Sequence, residues 1–263
     1  METELHENSI SVTTSALESK LKTPAKTSCV IAVHNEAKYL RYSLPNLLTS
    51  PFEEIVFVLD RCKDNSEQII KQYGDARFKV LCKNEANWQN PCAEAKNFGC
   101  SKATHNLLLI TDADMVLDVK AVQNGIRMFE QNKNVTLICL AYKQYSLHGT
   151  ILQRLRDEWI NFIGMIMRKL GVQPRRGGIY LVRKEIAAIQ DRPSEYDFLQ
   201  QKHKVIRIET KSLHLRPRFS KKAQISRGKA RMHLPQYNVI KVLLASILQL
   251  QPYMLFSYLS ERR

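Results

Sequence analysis

Asp112 and Asp114 stand one residue apart at the end of an apolar run, LLLITDADMVLD (107–118). Residues i and i+2 of an extended chain point the same way, so the run would deliver two carboxylates to one place. Unpaired, they repel and raise each other's pKa. A bound divalent cation removes that conflict, and hard oxygen ligands suit Mg²⁺ or Mn²⁺. Two carboxylates are too few to cage such an ion, which completes its shell with water and substrate phosphates. The pair therefore points to a substrate carrying a diphosphate.

The surrounding elements repeat a βα rhythm. Short β-rich runs at 28–34, 54–60, 78–82, 106–112 and 135–143 alternate with helical patterns at 36–48, 64–74, 91–103 and 119–132. Pro45 is expected to break or kink the first helix. Several strands are almost continuously apolar, as when both faces of a sheet are covered. The fold class expected is α/β, a mostly parallel sheet flanked by helices. Such sheets bind ligands beyond the carboxyl ends of their strands. Three of those ends are polar here: His34-Asn35-Glu36, then Asp60 with Asp64 four residues on, then Asp112-Ala113-Asp114. Each also has a purely structural use. Asp64 could cap a helix, Asp60 could sit in a turn, and Asp112 could end a strand.

After residue 150 the rhythm changes. A helix is expected at 151–171, a turn containing Arg175 and Arg176 at 174–178, and a strand at 179–183. A helix start follows at 194–201 with Ser194 as a candidate cap, then a strand at 204–210. Residues 237–263 are apolar but interrupted by Lys241, Ser246, Gln249 and Gln251 and broken by Pro252. They fall short of the ~18-residue apolar stretch of a membrane span.

The 263 residues are 44% hydrophobic, enough for one large domain or one domain with an appendage. The net charge is +15, and all of it lies in residues 151–263, which hold 23 basic and 8 acidic side chains. Between 202 and 231 there are 11 basic residues and one acid, Glu209. That field suits polyanions: nucleic acid, an anionic membrane surface or a phosphorylated substrate. A solvated basic face is the plainer alternative. Six cysteines without C-x-x-C pairs or neighbouring histidines fit a reduced, cytoplasmic chain. Residues 1–27 are polar, lack the apolar core of a signal peptide, and are expected to be a disordered tail.

Several blocks together resemble glycosyltransferase family 2, with its GT-A, Rossmann-like fold. VIAVHNE (30–36) is similar to the family's opening strand. VFVLDRCKDNS (56–66) is similar to its second-strand block, and CAEAKNFG (92–99) to its A-x-x-x-R/K-N-x-G helix. LLLITDADMVLD carries the D-x-D, and SEYDF (194–198) looks like the E-D-x-D-L block. The resemblance covers about 28–214. It implies that Ala32, His34 and Glu36 line a nucleotide pocket, that Asp60 meets the base, and that Lys96 lies near the donor. It implies Asp112 at the sugar or ribose and Asp114 on a metal, Mn²⁺ or Mg²⁺. Glu195 stands where the family has its catalytic Asp, with Asp197 in the same block, and His214 where relatives can place a histidine near the diphosphate. Arg175, Arg176 and Arg216 are candidates for the leaving-group or acceptor phosphate. On its own residues Glu195 could instead cap a helix, and His214 could be a surface histidine. Leu59, Arg61 and Ala32 depart from the family pattern, and Glu195 is longer than the usual Asp. No Q-x-x-R-W occurs, which argues against a processive synthase.

The implied activity is inverting transfer from a nucleoside-diphosphate sugar to an acceptor hydroxyl on a glycan or a lipid-linked carrier. The implied organisation is a tail (1–27), a catalytic domain (28–216) and a basic, apolar helical segment (217–263). Within the catalytic domain, 28–143 would bind the donor and 144–216 would hold the acceptor and base. The last segment either packs on the domain or lies on an anionic membrane, which would place the protein on the membrane's cytoplasmic face. Two other readings remain. D-x-D-x-V after a strand also resembles the haloacid dehalogenase-type phosphatases, with Asp112 as nucleophile. A basic nucleic-acid-binding module is the third, against which stands the single aromatic residue, Phe219, within 202–231.

Overall fold

The computed structural model describes residues 25–88, 90–169, 178–187 and 205–217, with isolated positions 225, 259 and 260. The elements run β1 (Thr27–Val33), α1 (Ala37–Leu48), β2 (Glu54–Asp60), α2 (Ser66–Gln72), β3 (Phe78–Lys83), α3 (Pro91–Lys102) and β4 (Leu107–Asp112). There follow β5 (Met115–Val116), α4 (Val119–Gln131), β6 (Leu137–Gln144), α5 (Ile151–Lys169), β7 (Tyr180–Arg183) and β8 (Val205–His214). They build one sheet in the order β3-β2-β1-β4-β7-β6-β8-β5.

Strands β3, β2, β1 and β4 are mutually parallel. Beyond β4 the sheet is mixed. β7 runs antiparallel to β4 and β6, β8 parallel to β6, and β5 antiparallel to β8. The period-two alternation sorts each central strand between two cores. Cys29, Ile31, Ile55, Phe57 and Leu109 face one layer with Leu40, Leu44, Ile70 and Ile126 of α1, α2 and α4. Val30, Val56, Val58, Leu108 and Ile110 face the other with Ala93, Ala95 and Cys100 of α3. The α3 layer is thin: a Cβ at Gly99 would lie 2.5 Å from Val30 Cγ1 and 2.8 Å from Val58 Cγ2.

Two expectations change. Helix α1 continues through Pro45, since Pro45 and Arg41, whose carbonyl the proline leaves without its helical donor, both lie on the exposed side. The strand expected at 204–210 extends to His214, because Ser212–His214 find partners on both β6 and β5 across an irregularity at Leu140/Tyr142. All six cysteines are free thiols. No helix among the described residues is long and apolar enough to cross a membrane. Residues 1–24, most of 218–263, the turn with Arg175 and Arg176, and the block with Glu195 and Asp197 lie outside the described residues.

Candidate active site

The order β2-β1-β4 reverses the winding of the sheet at β1, which opens a crevice between the ends of β1 and β4. A cavity of about 480 Å³ occupies it. Ala32, His34, Glu36, Asp60, Asp112 and Asp114 line it, and His214 and Arg216 of the β8 end close it. Eight residues expected at the site from the sequence are thus together, and Lys96 backs onto them through Asp112.

The floor is a laced pair of loops. Asn35 adopts a left-handed φ of 55° after β1. Its Oδ1 accepts from the N–H groups of Lys63 (2.7 Å) and Asp64 (3.3 Å). Asp64 in turn accepts from Ala37 N–H at 3.0 Å and from Ser66 N–H and Oγ–H at 3.1 and 2.6 Å. One carboxylate therefore ties down the first N–H groups of both α1 and α2, although the N-cap position of α2 that the sequence suggested for Asp64 falls to Asn65. Ser66 Oγ also receives Glu36 N–H at 2.9 Å. His34 Nδ1 lies 2.6 Å from the carbonyl of Asp60, which can only accept, so Nδ1 carries the proton. Asp60 is buried and takes a two-pronged contact from Arg61, Nε at 2.9 Å and Nη2 at 2.8 Å.

Asp112 and Asp114 do not share an extended strand. Asp112 ends β4, and Ala113-Asp114 form a turn into β5. The repulsion expected between them is relieved by separate cations. Fully buried Lys96 places Nζ 2.6 Å from Asp112 Oδ1. Burial alone would raise the Asp112 carboxyl, but Lys96, with help from His214 and Arg216, holds it below the ordinary value. Arg216 Nε donates to Asp114 Oδ2 at 2.9 Å, and the same guanidinium pairs through Nη2 with Glu36 Oε1. Glu36 is pushed up to about 7 by its burial and by the carboxylates of Asp114 and Asp112, against the pull of Arg216.

The sequence pattern did not single out Gln144. Its buried amide faces the carbonyls of His214 and Arg216 and lies 3.2 Å from His214 Nδ1. The two carbonyls require Nε2 on that side, so His214 Nδ1 accepts and Nε2 carries the hydrogen toward Asp114 Oδ2, 3.6 Å away. Tyr142 stacks on the His214 ring with centroids 5.4 Å apart. Only the place of Gln144 at the end of an expected strand hinted at this role.

Asp114 Oδ1 is buried without a hydrogen-bond partner among the described residues, and so is Glu36 Oε2. An unpartnered carboxylate oxygen is the donor that a hard divalent cation takes, so Asp114 fits one. His214 Nε2 fits only once its proton has moved to Nδ1. No cluster of three or more ligating side chains occurs among the described residues.

The model of the glycosyl transferase family 2 matches residues 28–189, more than half of the chain. The chain belongs to that family. Its match to the poly-β-1,6-N-acetyl-D-glucosamine synthase of Staphylococcus aureus (strain COL) is 24% identical over 169 residues, 61% of this chain and 40% of that one. An uncharacterised glycosyltransferase of Methanocaldococcus jannaschii is 24% identical over 51% of this chain and 48% of its own. The chain thus spans less than half of these curated relatives. Among solved structures, the mannosyltransferase PcManGT of Pyrobaculum calidifontis with GDP-Man and Mn²⁺ superposes with a TM-score of 0.56 at 14% identity, covering 90% of this chain and 71% of that one. Staphylococcus aureus TarS 1-349 with UDP-GlcNAc gives 0.55 at 14% identity, over 85% and 71%. These likenesses establish the GT-A fold.

Proposed function

We propose that this family 2 member is an inverting, non-processive glycosyltransferase that moves a sugar from a nucleoside-diphosphate sugar to an acceptor hydroxyl. The acceptor is a glycan or a lipid-linked carrier. One observation carries the reading: Asp112 and Asp114 meet His34, Glu36 and Asp60 in the crevice at the switch point of the sheet. The donor complexes of the mannosyltransferase and of TarS support a nucleotide sugar there. The absence of Q-x-x-R-W supports transfer of single sugars, unlike the synthase relative.

The base and ribose lie along Ala32, His34, Glu36 and Asp60, with Asp112 at the sugar or ribose and Lys96 fixing Asp112. Asp114 would hold the divalent cation, Mn²⁺ or Mg²⁺, and His214 would join it as the second protein donor once Gln144 turns from Nδ1 and the proton of Nε2 moves there. That ion, when bound, supplies Lewis-acid neutralisation of the leaving diphosphate. Arg216 turns from Asp114 toward the phosphate charge, and Arg175 and Arg176 add to it. Glu195, with Asp197 in the same sequence block, takes the proton of the acceptor hydroxyl on the face opposite the leaving group, and this in-line attack inverts the anomeric carbon. The protein works on the cytoplasmic side, peripheral to the membrane.

The test is nucleotide release from a panel of UDP-, GDP-, CDP- and dTDP-sugars with Mn²⁺. One donor should turn over, and Glu195→Gln should lower that turnover roughly 100-fold or more while leaving nucleotide binding intact. A panel with no turnover, or a Glu195→Gln variant of full activity, would remove glycosyl transfer or its base, respectively.

A further inference from the structure

Helix α5 is amphipathic the wrong way round for a helix that only covers a core. Its inner side is mostly polar or small, with Ile160 the one large apolar residue buried there among the described residues. Asp157 accepts Ser146 N–H at 2.6 Å, and Asn161 both accepts Gln144 N–H and donates to Gln144 O at 3.0 Å, with Ile160 and Gly164 buried beside them. At 3.6 residues per turn, Ile151, Leu155 and Phe162 fall on the opposite side. They are 80, 62 and 49% exposed, and Leu152, Trp159 and Met165 widen the stripe. An exposed, largely apolar face of this kind, interrupted by Glu158, marks an interaction surface.

We propose that the outer face of α5 docks on an anionic lipid surface. Charge selects that partner. Exposed Arg154 and Lys169 and half-exposed Arg156 outnumber the one exposed acid of the face, Glu158, and the whole +15 of the chain lies from residue 151 onward. An apolar stripe flanked by arginine and lysine is the pattern of a helix lying in the plane of a membrane interface. A second copy fits less well, because face-to-face packing would bring two sets of these cations together in an already basic chain. The face also adjoins the site. Phe162 and Met165 share a groove of about 270 Å³ with Tyr142, the residue stacked on His214; Glu158 and Glu209 also line it, so the groove itself stays off the anionic surface and only adjoins it. Docking through α5 would hold the crevice beside the bilayer, where a lipid-linked acceptor resides. That consequence rests on the proposed glycosyl transfer; the docking itself does not and is measured without donor.

The experiment is co-sedimentation of the full chain with phosphatidylcholine vesicles, with and without phosphatidylglycerol. Binding is expected only to the anionic vesicles. It should fall roughly tenfold or more in Leu155→Glu/Phe162→Glu, whose sites are already exposed. Arg154→Glu/Lys169→Glu, which leaves the apolar stripe whole, should weaken it in low salt. In a Trp88→Phe background the remaining tryptophan, Trp159, should shift to the blue and be quenched by brominated lipid. Absence of vesicle binding overturns the proposal. Equal binding by Leu155→Glu/Phe162→Glu, or an unquenched Trp159, overturns it in favour of residues 237–263. A wild-type dimer that this variant dissolves, without vesicle binding, overturns it in favour of a second copy.

Discussion

Arg216 sits between Asp114 and Glu36, giving Nε to one carboxylate at 2.9 Å and Nη2 to the other, with its guanidinium 5.5 Å from the centre of the Tyr39 ring. It supplies the positive charge at the carboxylate proposed to hold a cation. Its removal leaves two buried acids facing each other. Arg216→Ala should cost roughly 1–3 kcal/mol, since the head group is half open to solvent. A melting curve reads that loss, and nucleotide with Mn²⁺ should add less to the variant than to the wild type, because the phosphate charge has lost the Arg216 guanidinium.

Lys96 is the more buried cation, and Asp112 depends on it. Lys96→Met keeps the bulk and removes the charge. The expected loss is about 3 kcal/mol, the low end for breaking a buried pair because Asp112 keeps some exposure. Urea unfolding should show Lys96→Met/Asp112→Asn less destabilised than the sum of the single variants.

Asp64 gives a pH signature. Burial would raise it, but the hydrogen bonds from Ser66 and Ala37 outweigh burial and hold its carboxyl below the ordinary value. A depressed folded pKa contributes stability above the unfolded value of about 3.9 and loses it as pH falls through the folded value. Asp64→Asn should therefore be less stable by about 1 kcal/mol near neutrality, the scale of a lost cap at a solvated site. The gap should close in acid. A constant gap across the acid range would assign the effect to shape instead of charge.

Gly99→Ala should destabilise by about 1–3 kcal/mol, because its Cβ would meet Val30 and Val58. Val30→Ala in the same chain should recover part of the loss, measured by thermal melting.

The parallel half of the sheet was legible because β1, β2 and β4 are buried on both faces and read as unbroken apolar runs. Their polar ends, His34 to Glu36, Asp60 and Asp112, announced the crevice for the same reason. What was not legible came from distant pairing. Two-residue β5 is too short to show a period, and β8 reaches His214 only because β5 and β6 supply partners for a polar stretch. The partners of the carboxylates were hidden likewise. Nothing near Asp114 in the chain points to Arg216, 102 residues away, and nothing near Asp112 shows that Lys96 is buried against it. The outward apolar face of α5 was equally invisible, since periodicity marks a stripe without saying which way it faces.

The central claim is that this crevice binds a nucleoside diphosphate through Asp114 and a divalent cation. Thermal melting with UDP, GDP, CDP and dTDP, each with and without Mn²⁺, measures it directly. The account predicts that one nucleotide raises the melting temperature only with Mn²⁺ present, and that Asp114→Asn removes that rise while still melting cooperatively. No rise with any nucleotide and Mn²⁺, or an undiminished rise in Asp114→Asn, would contradict it.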